Sequence, residues 1–188
     1  MRIGTAVAAA LLATGLAAGT ANATTYTTNS GMLTYNCTFP GVAPQPTTVT
    51  AQLSVTEPHA GQPFTVTPSA TQTYTAAVRA LLNAAGYDQV RGSLAATFTV
   101  SGATPASGTI AGSFPAQPFT SVSVTGSPQV FTAGAAFAVG FAMGPGITET
   151  LEFHKASTGA WVPWASNCTL RSTSPAQNTS FQPSIPIS

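Results

Sequence analysis

Charge is what this sequence has least of. Lysine, arginine, aspartate and glutamate together make up 5% of the chain, against roughly 25% in an ordinary soluble protein. Five cations and four anions cannot build a stripe that neutralises a run of phosphates, which excludes nucleic acid as a partner. The same shortage excludes attraction to an anionic lipid surface. Two cysteines and two histidines, far apart along the chain, do not make a zinc site of the usual Cys/His spacing. Gly-x-Ser-x-Gly, His-Glu-x-x-His and phosphate-cradling glycine loops do not occur, so the common routes to acyl, metal and phosphoryl chemistry have no motif. No apolar run reaches the roughly 20 residues of a membrane span. The expectation is a protein that is not an enzyme and carries no cofactor.

What is there begins with an export signal. Arg2 precedes an Ala/Leu-rich run, and Ala21-Asn22-Ala23 is a small-x-small cleavage site. Residues 1–23 therefore read as a bacterial signal peptide, with a mature chain from Thr24 and no membrane span within it. Its surface is built from Thr, Ser, Gln, Asn and Ala rather than charge, which suits an extracellular protein. Export brings the two cysteines, Cys37 and Cys168, into an oxidising compartment, where a pair becomes a disulfide. Neither has a local histidine to make it a catalytic thiol. A bridge closing a loop of more than 100 residues contributes roughly 4–5 kcal/mol in the chain-entropy model.

Period-two alternation runs through most of the mature chain. Leu33, Tyr35, Cys37 and Phe39 share one face; Val49, Ala51, Leu53 and Val55 another; then Phe64 and Val66; then Leu94, Ala96, Phe98 and Val100. Phe137, Val139, Phe141 and Met143 oppose Ala136, Ala138, Gly140 and Ala142, so the small face expects a close neighbour. Ile147, Leu151 and Phe153 point inward, with Glu152 and His154 outward. Val162, Trp164, Cys168 and Leu170 share the last inward face, and Pro163 marks the start of that strand as an edge. One stretch has helical spacing: Ala76 to Ala85, with Thr75 as N-cap and Gly86 after its end. Some eight or nine short strands with Gly/Pro turns define an antiparallel β-sandwich over residues 24–171, immunoglobulin-like or jelly-roll-like, with one short helix and one long-range disulfide. The Pro/Ser-rich stretch 172–188 has no periodicity and is expected to be a flexible tail.

Tyr35-Asn36-Cys37-Thr38-Phe39-Pro40, the turn Pro58-His59-Ala60-Gly61-Gln62-Pro63, the helix before Gly86 with Val90-Arg91-Gly92 after it, and the lone late Cys168 occur in an order that resembles a family of secreted actinobacterial domains of unknown function. The resemblance covers Leu33 to Leu170; the aromatic pair Trp161 and Trp164 departs from it. It implies export, a single disulfide and a β-rich fold, and no activity.

Three candidate sites remain. Trp161 falls on the outer face, where an exposed indole can stack on a sugar ring or anchor a partner. Glu152 and His154, two apart on one strand, share that face and could contribute to a metal site if Glu57 and His59 came near. Glu149 and Glu152 have opposite parity and face opposite sides, which does not suit a glycosidase pair. The leading expectation is a secreted, non-catalytic binding or structural module, acting through its hydroxyl-rich face or an exposed sheet edge on an extracellular protein or glycan. The alternatives are a carbohydrate-binding or inhibitory module anchored by Trp161, and a metal-dependent hydrolase using Glu152 and His154.

Overall fold

The computed structural model describes residues 24–188; the expected export signal, residues 1–23, lies outside the described residues. Among the described residues eleven strands and one helix follow in chain order: β1 Thr25–Phe39, β2 Val42–Thr56, β3 Pro63–Tyr74, α1 Ala76–Ala84, β4 Tyr87–Ser101, β5 Ala103–Thr104, β6 Ser107–Gln117, β7 Ser121–Thr125, β8 Gln129–Ala133, β9 Ala138–Lys155, β10 Ala160–Leu170 and β11 Ile185–Pro186. Every strand pairing is antiparallel, as hairpin connections between neighbours allow. The strand order is β5-β8-β3-β2-β1-β10-β9-β4-β6, with β7 also on β3 and β11 on β9.

This path is open, yet its two ends meet. A Cβ at Gly112 of β6 would stand 2.9 Å from Val124 Cβ of β7, so the missing side chain is what lets the strands approach. Gln129 bridges the same seam: its Nε2 donates to Thr109 O at 2.6 Å and its Oε1 accepts from Thr109 N at 2.9 Å. A side-chain amide thus supplies what a neighbouring strand would. The sheet folds over one continuous core that takes the inward residues of β1 to β4 and β6 to β10, a β-sandwich with its edges turned toward each other.

The alternation works because each strand buries one face. Val49, Ala51, Leu53 and Val55 are buried while Thr50, Gln52 and Ser54 are exposed. The small face of β9 has the close neighbour expected of it: a Cβ at Gly140 would lie 2.7 Å from Ser101 Oγ, and one at Gly144 would lie 2.6 Å from Thr97 Oγ1. Phe137 does not follow this pattern. It sits just before β9 and is 98% exposed. In α1, Thr75 caps the first turn by accepting from Val78 N, Val78 and Leu82 enter the core, and Leu81 stays outside. Gly86 takes φ +85°, the left-handed turn after a helix that suits glycine.

Cys37 of β1 and Cys168 of β10 face each other in register and are bridged, with Cα atoms 3.9 Å apart. The tie spans 131 residues of sequence and joins two hydrogen-bonded neighbours. Only the last few residues of β10 pair with β1, so its first half has a neighbour on one side alone and tolerates Pro163.

The stretch 172–188 is not the flexible tail its composition predicts. Where β10 ends, the chain enters the gap left between β1 and β9. Gln182 exchanges backbone hydrogen bonds with Asn29 (3.0 and 2.8 Å), and Phe181 N donates to Phe141 O at 2.8 Å. Met143 N donates to Thr179 O, Thr28 Oγ1 donates to Pro183 O, and β11 pairs with Val139 and Ala138. Phe181 and Ile185 are buried in the shared core. Proline and serine hid this role because isolated backbone bridges with two apolar anchors leave no period in the sequence.

Candidate functional site

Two places concentrate polar chemistry, one outside and one inside. The outer one grows from register. On β4, β9 and β10, Gln89, His154 and Trp161 lie in one row, and Arg91, Glu152 and Pro163 in the next on the same face. A bulge adds to them. Tyr87 pairs with Lys155 but Gln89 with His154, so Asp88 is the extra residue on β4. This shift turns Asp88 toward β9, where its Oδ1 meets His154 Nδ1 at 2.6 Å. A carboxylate only accepts, so Nδ1–H donates.

Arg91 Nε donates to Glu152 Oε2 at 2.6 Å, and its guanidinium lies over the Trp161 ring, 4.2 Å from the centroid. The His154 ring stands 5.1 Å from the same indole. Trp161 is therefore held at the surface against an arginine and a histidine that both come from the β9 side, half-buried, with their partner carboxylates nearby. The Arg91–Glu152 pair is about 40% exposed on each side, so solvent screens it and it adds little stability. Its value is in orienting Arg91 over the indole.

The candidates from sequence divide here. Trp161, Glu152 and His154 come together. Glu57 and His59 do not join them: His59 bonds Ser188 Oγ, and Ile187 pairs with Phe137 before the start of β9. His154 is far along the same strand, on the order of tens of ångströms at roughly 3.3 Å per residue. Glu152 is engaged by Arg91 and His154 by Asp88, and among the described residues these carboxylates and this imidazole do not gather as a three-ligand set. Neither Tyr74 nor Tyr87 flanks Trp161; Tyr74 is buried against Phe39 and Phe119, and Tyr87 packs on Phe153. A surface hollow of about 420 Å³ lies elsewhere, between Ser101, Gly140 and the stretch Ser180–Ser184. It has no charged lining, whereas a hollow of about 240 Å³ lined by Arg79, Asp88 and Phe119 borders the outer patch at Asp88.

The inner cluster was only half visible in the sequence. Glu149 does face away from Glu152, as parity requires, and this puts it in the core at 3% exposure. Directly opposite on β10 is the buried Ser166. Around them are Thr47, Gln72, Tyr74 and the disulfide, all buried. The Glu149 carboxyl and both sulfurs lie within 4.8 Å of one another. Cys37 Sγ contacts the Thr47 hydroxyl at 3.0 Å and Gln72 Nε2 at 3.7 Å; Cys168 Sγ contacts Ser166 Oγ at 3.9 Å. Glu149 Oε2, Gln72 Oε1 and Tyr74 Oη have no hydrogen-bond partner. No lysine, arginine or histidine among the described residues pairs with Glu149. Burial pushes its carboxyl pKa up, and the neighbouring Ser166 and Gln72 side chains pull it part of the way back. Tyr74 is pushed well above its ordinary value by burial first and by the Glu149 charge second. A proton on Glu149 relieves this arrangement, since it supplies a donor among acceptors.

Compared with family models, with curated proteins and with solved structures, the chain matches none. Among the described residues no helix is long and apolar enough to cross a membrane.

Proposed function

We propose that this chain is an exported, non-catalytic binding module and that the Trp161 patch is its contact surface. One observation carries the reading. A chain with only nine Asp, Glu, Lys and Arg residues commits Asp88, Arg91 and Glu152, with His154, to the surroundings of one half-exposed tryptophan. Scattered solvating charges have no reason to converge, whereas a recognition site needs an aromatic anchor with donors and acceptors at its rim.

The chemistry of the patch favours a glycan over a protein strand. An indole has two apolar faces, of which Arg91 covers one; the other is the plane for a sugar ring, while the carboxylates, the guanidinium and the imidazole meet hydroxyls. An added strand, in contrast, needs a free sheet edge with its backbone donors; Gln129 occupies the one at β6, and Pro163 removes a donor from the open first half of β10. The likeness to secreted actinobacterial domains belongs to this same proposal and supports export. Retention on a panel of insoluble polysaccharides tests it. Binding that is lost in Trp161→Ala, with the fold intact by circular dichroism, supports the glycan reading. Binding unaffected by Trp161→Ala removes the patch from the account, and no retention on any polysaccharide removes the ligand class.

A further inference from the structure

An unpaired carboxyl in a protein core is costly, and replacing it with an apolar side chain would ordinarily stabilise the fold. Glu149 pairs with no cation, leaves Oε2 without a partner, and sits within 4.8 Å of both sulfurs of the disulfide. Position, not packing, is what distinguishes it. We propose that Glu149 is the internal proton acceptor that closes the Cys37–Cys168 bridge, and the proton donor when the bridge is opened.

The thiolate is the reactive form of cysteine, and a free thiol near pKa 8.5 supplies little of it at neutral pH. The oxidant required is an external disulfide, either a small-molecule disulfide or that of a thiol oxidase. Before β10 seals against β1, while the sulfurs are still open to solvent, Cys168 as thiolate attacks it, which forms a mixed disulfide and expels one thiolate that takes up a proton. The Cys37 S–H bond then breaks. Its proton goes to the Glu149 carboxylate while the Cys37 sulfur attacks Cys168 Sγ of the mixed disulfide. The Cys37–Cys168 bond forms, and the second external thiolate leaves and is protonated. Two protein thiols are oxidised and one external disulfide is reduced to two thiols. Glu149 ends in its protonated form.

The roles of the two cysteines follow from their neighbours. The Thr47 hydroxyl at 3.0 Å and the Gln72 amide at 3.7 Å can both donate to Cys37 Sγ as it gains negative charge. Cys168 Sγ has only Ser166 Oγ at 3.9 Å. The titratable groups facing Glu149 are the two cysteines and Tyr74 from β3. The transfer moves one negative charge from oxygen to sulfur within the cluster, so no net charge enters the core. The upward displacement of the carboxyl brings it nearer to the thiol it must deprotonate. Once the bridge is closed the carboxyl is protonated, which suits its burial.

The test is the pH dependence of bridge closure. The full chain, reduced and unfolded, is refolded in a glutathione redox buffer and trapped by alkylation at intervals; mass separates the mixed disulfide from the bridged chain, and closure is read as the conversion of the first into the second, the step that Glu149 serves. In the wild type, closure should fall less than ten-fold per pH unit below neutrality, because the internal base substitutes for hydroxide. In Glu149→Gln, closure at about pH 6 should be at least 10-fold slower and should rise about ten-fold per pH unit, as for an unassisted thiol. Equal rates and profiles in both proteins would overturn the proposal. If Glu149→Gln does not fold, the wild type alone decides: a rate that drops ten-fold per pH unit throughout the range below neutrality also overturns it. Glu152→Gln, on the outer face, is the control and should close at the wild-type rate.

Discussion

Replacing Phe181 by alanine separates a structural C-terminal segment from a loose one. The ring is 2% exposed and meets Phe141 edge-on, with centroids 6.3 Å apart. Removing a buried phenylalanine costs about 3–5 kcal/mol through lost transfer energy and the cavity left behind. The edge-on pair accounts for roughly 0.5–1.5 kcal/mol beyond area burial. For a domain of this size each kcal/mol lowers Tm by roughly 2–4 °C, so a fall of roughly 6–20 °C is expected. Guanidinium unfolding followed by tryptophan fluorescence should show the midpoint falling at unchanged slope. Ser184→Ala, at an exposed position three residues on, should stay within about 0.5 kcal/mol of the wild type. If Phe181→Ala also stays within that margin, the segment neither completes the core nor closes the gap between β1 and β9.

Replacing both Cys37 and Cys168 by alanine should cost about 4–5 kcal/mol, the chain-entropy value for so long a loop; equilibrium unfolding under non-reducing conditions measures it. Glu149→Gln should stabilise the closed protein at neutral pH. A carboxyl raised on folding binds its proton more tightly in the native state, so wild-type stability is greatest below the ordinary carboxyl pKa and falls as pH climbs from there through the raised value. Each unit of displacement is worth about 1.4 kcal/mol, and unfolding as a function of pH should show that slope in the wild type and lose it in the variant. Arg91→Ala should cost less than about 1 kcal/mol, because its ion pair is solvent-screened, yet it should change the Trp161 emission by removing the guanidinium from the ring.

The strands could be read from the sequence because burial of one face imposes a period of two, and side chains such as Val49, Leu53 and Phe98 obey it without exception. The disulfide could be read because two cysteines without a neighbouring histidine or metal-ligand spacing have one chemistry available in an oxidising compartment. Three features could not. The C-terminal segment pairs by isolated bridges and anchors itself with Phe181 and Ile185, too sparse a pattern to register. Asp88 joins the outer patch only because a bulge adds one residue to β4 against β9, and alternation has no memory of bulges. Parity turned Glu149 inward, but its nearness to the disulfide depends on which strand lies beside β9 and in what register. Trp161, Glu152 and His154 were each visible as single residues; the guanidinium that joins two of them comes from β4, far away in sequence.

The Trp161 patch is the contact surface only if a ligand touches it. Backbone amide shifts of the isotope-labelled full chain, followed during titration with soluble oligosaccharides from whichever polysaccharide retains it, measure this directly. The shifts should cluster on Gln89 to Arg91, Glu152 to His154 and Trp161, and vanish in Trp161→Ala. Shifts confined to another face, or undiminished without the indole, would contradict it.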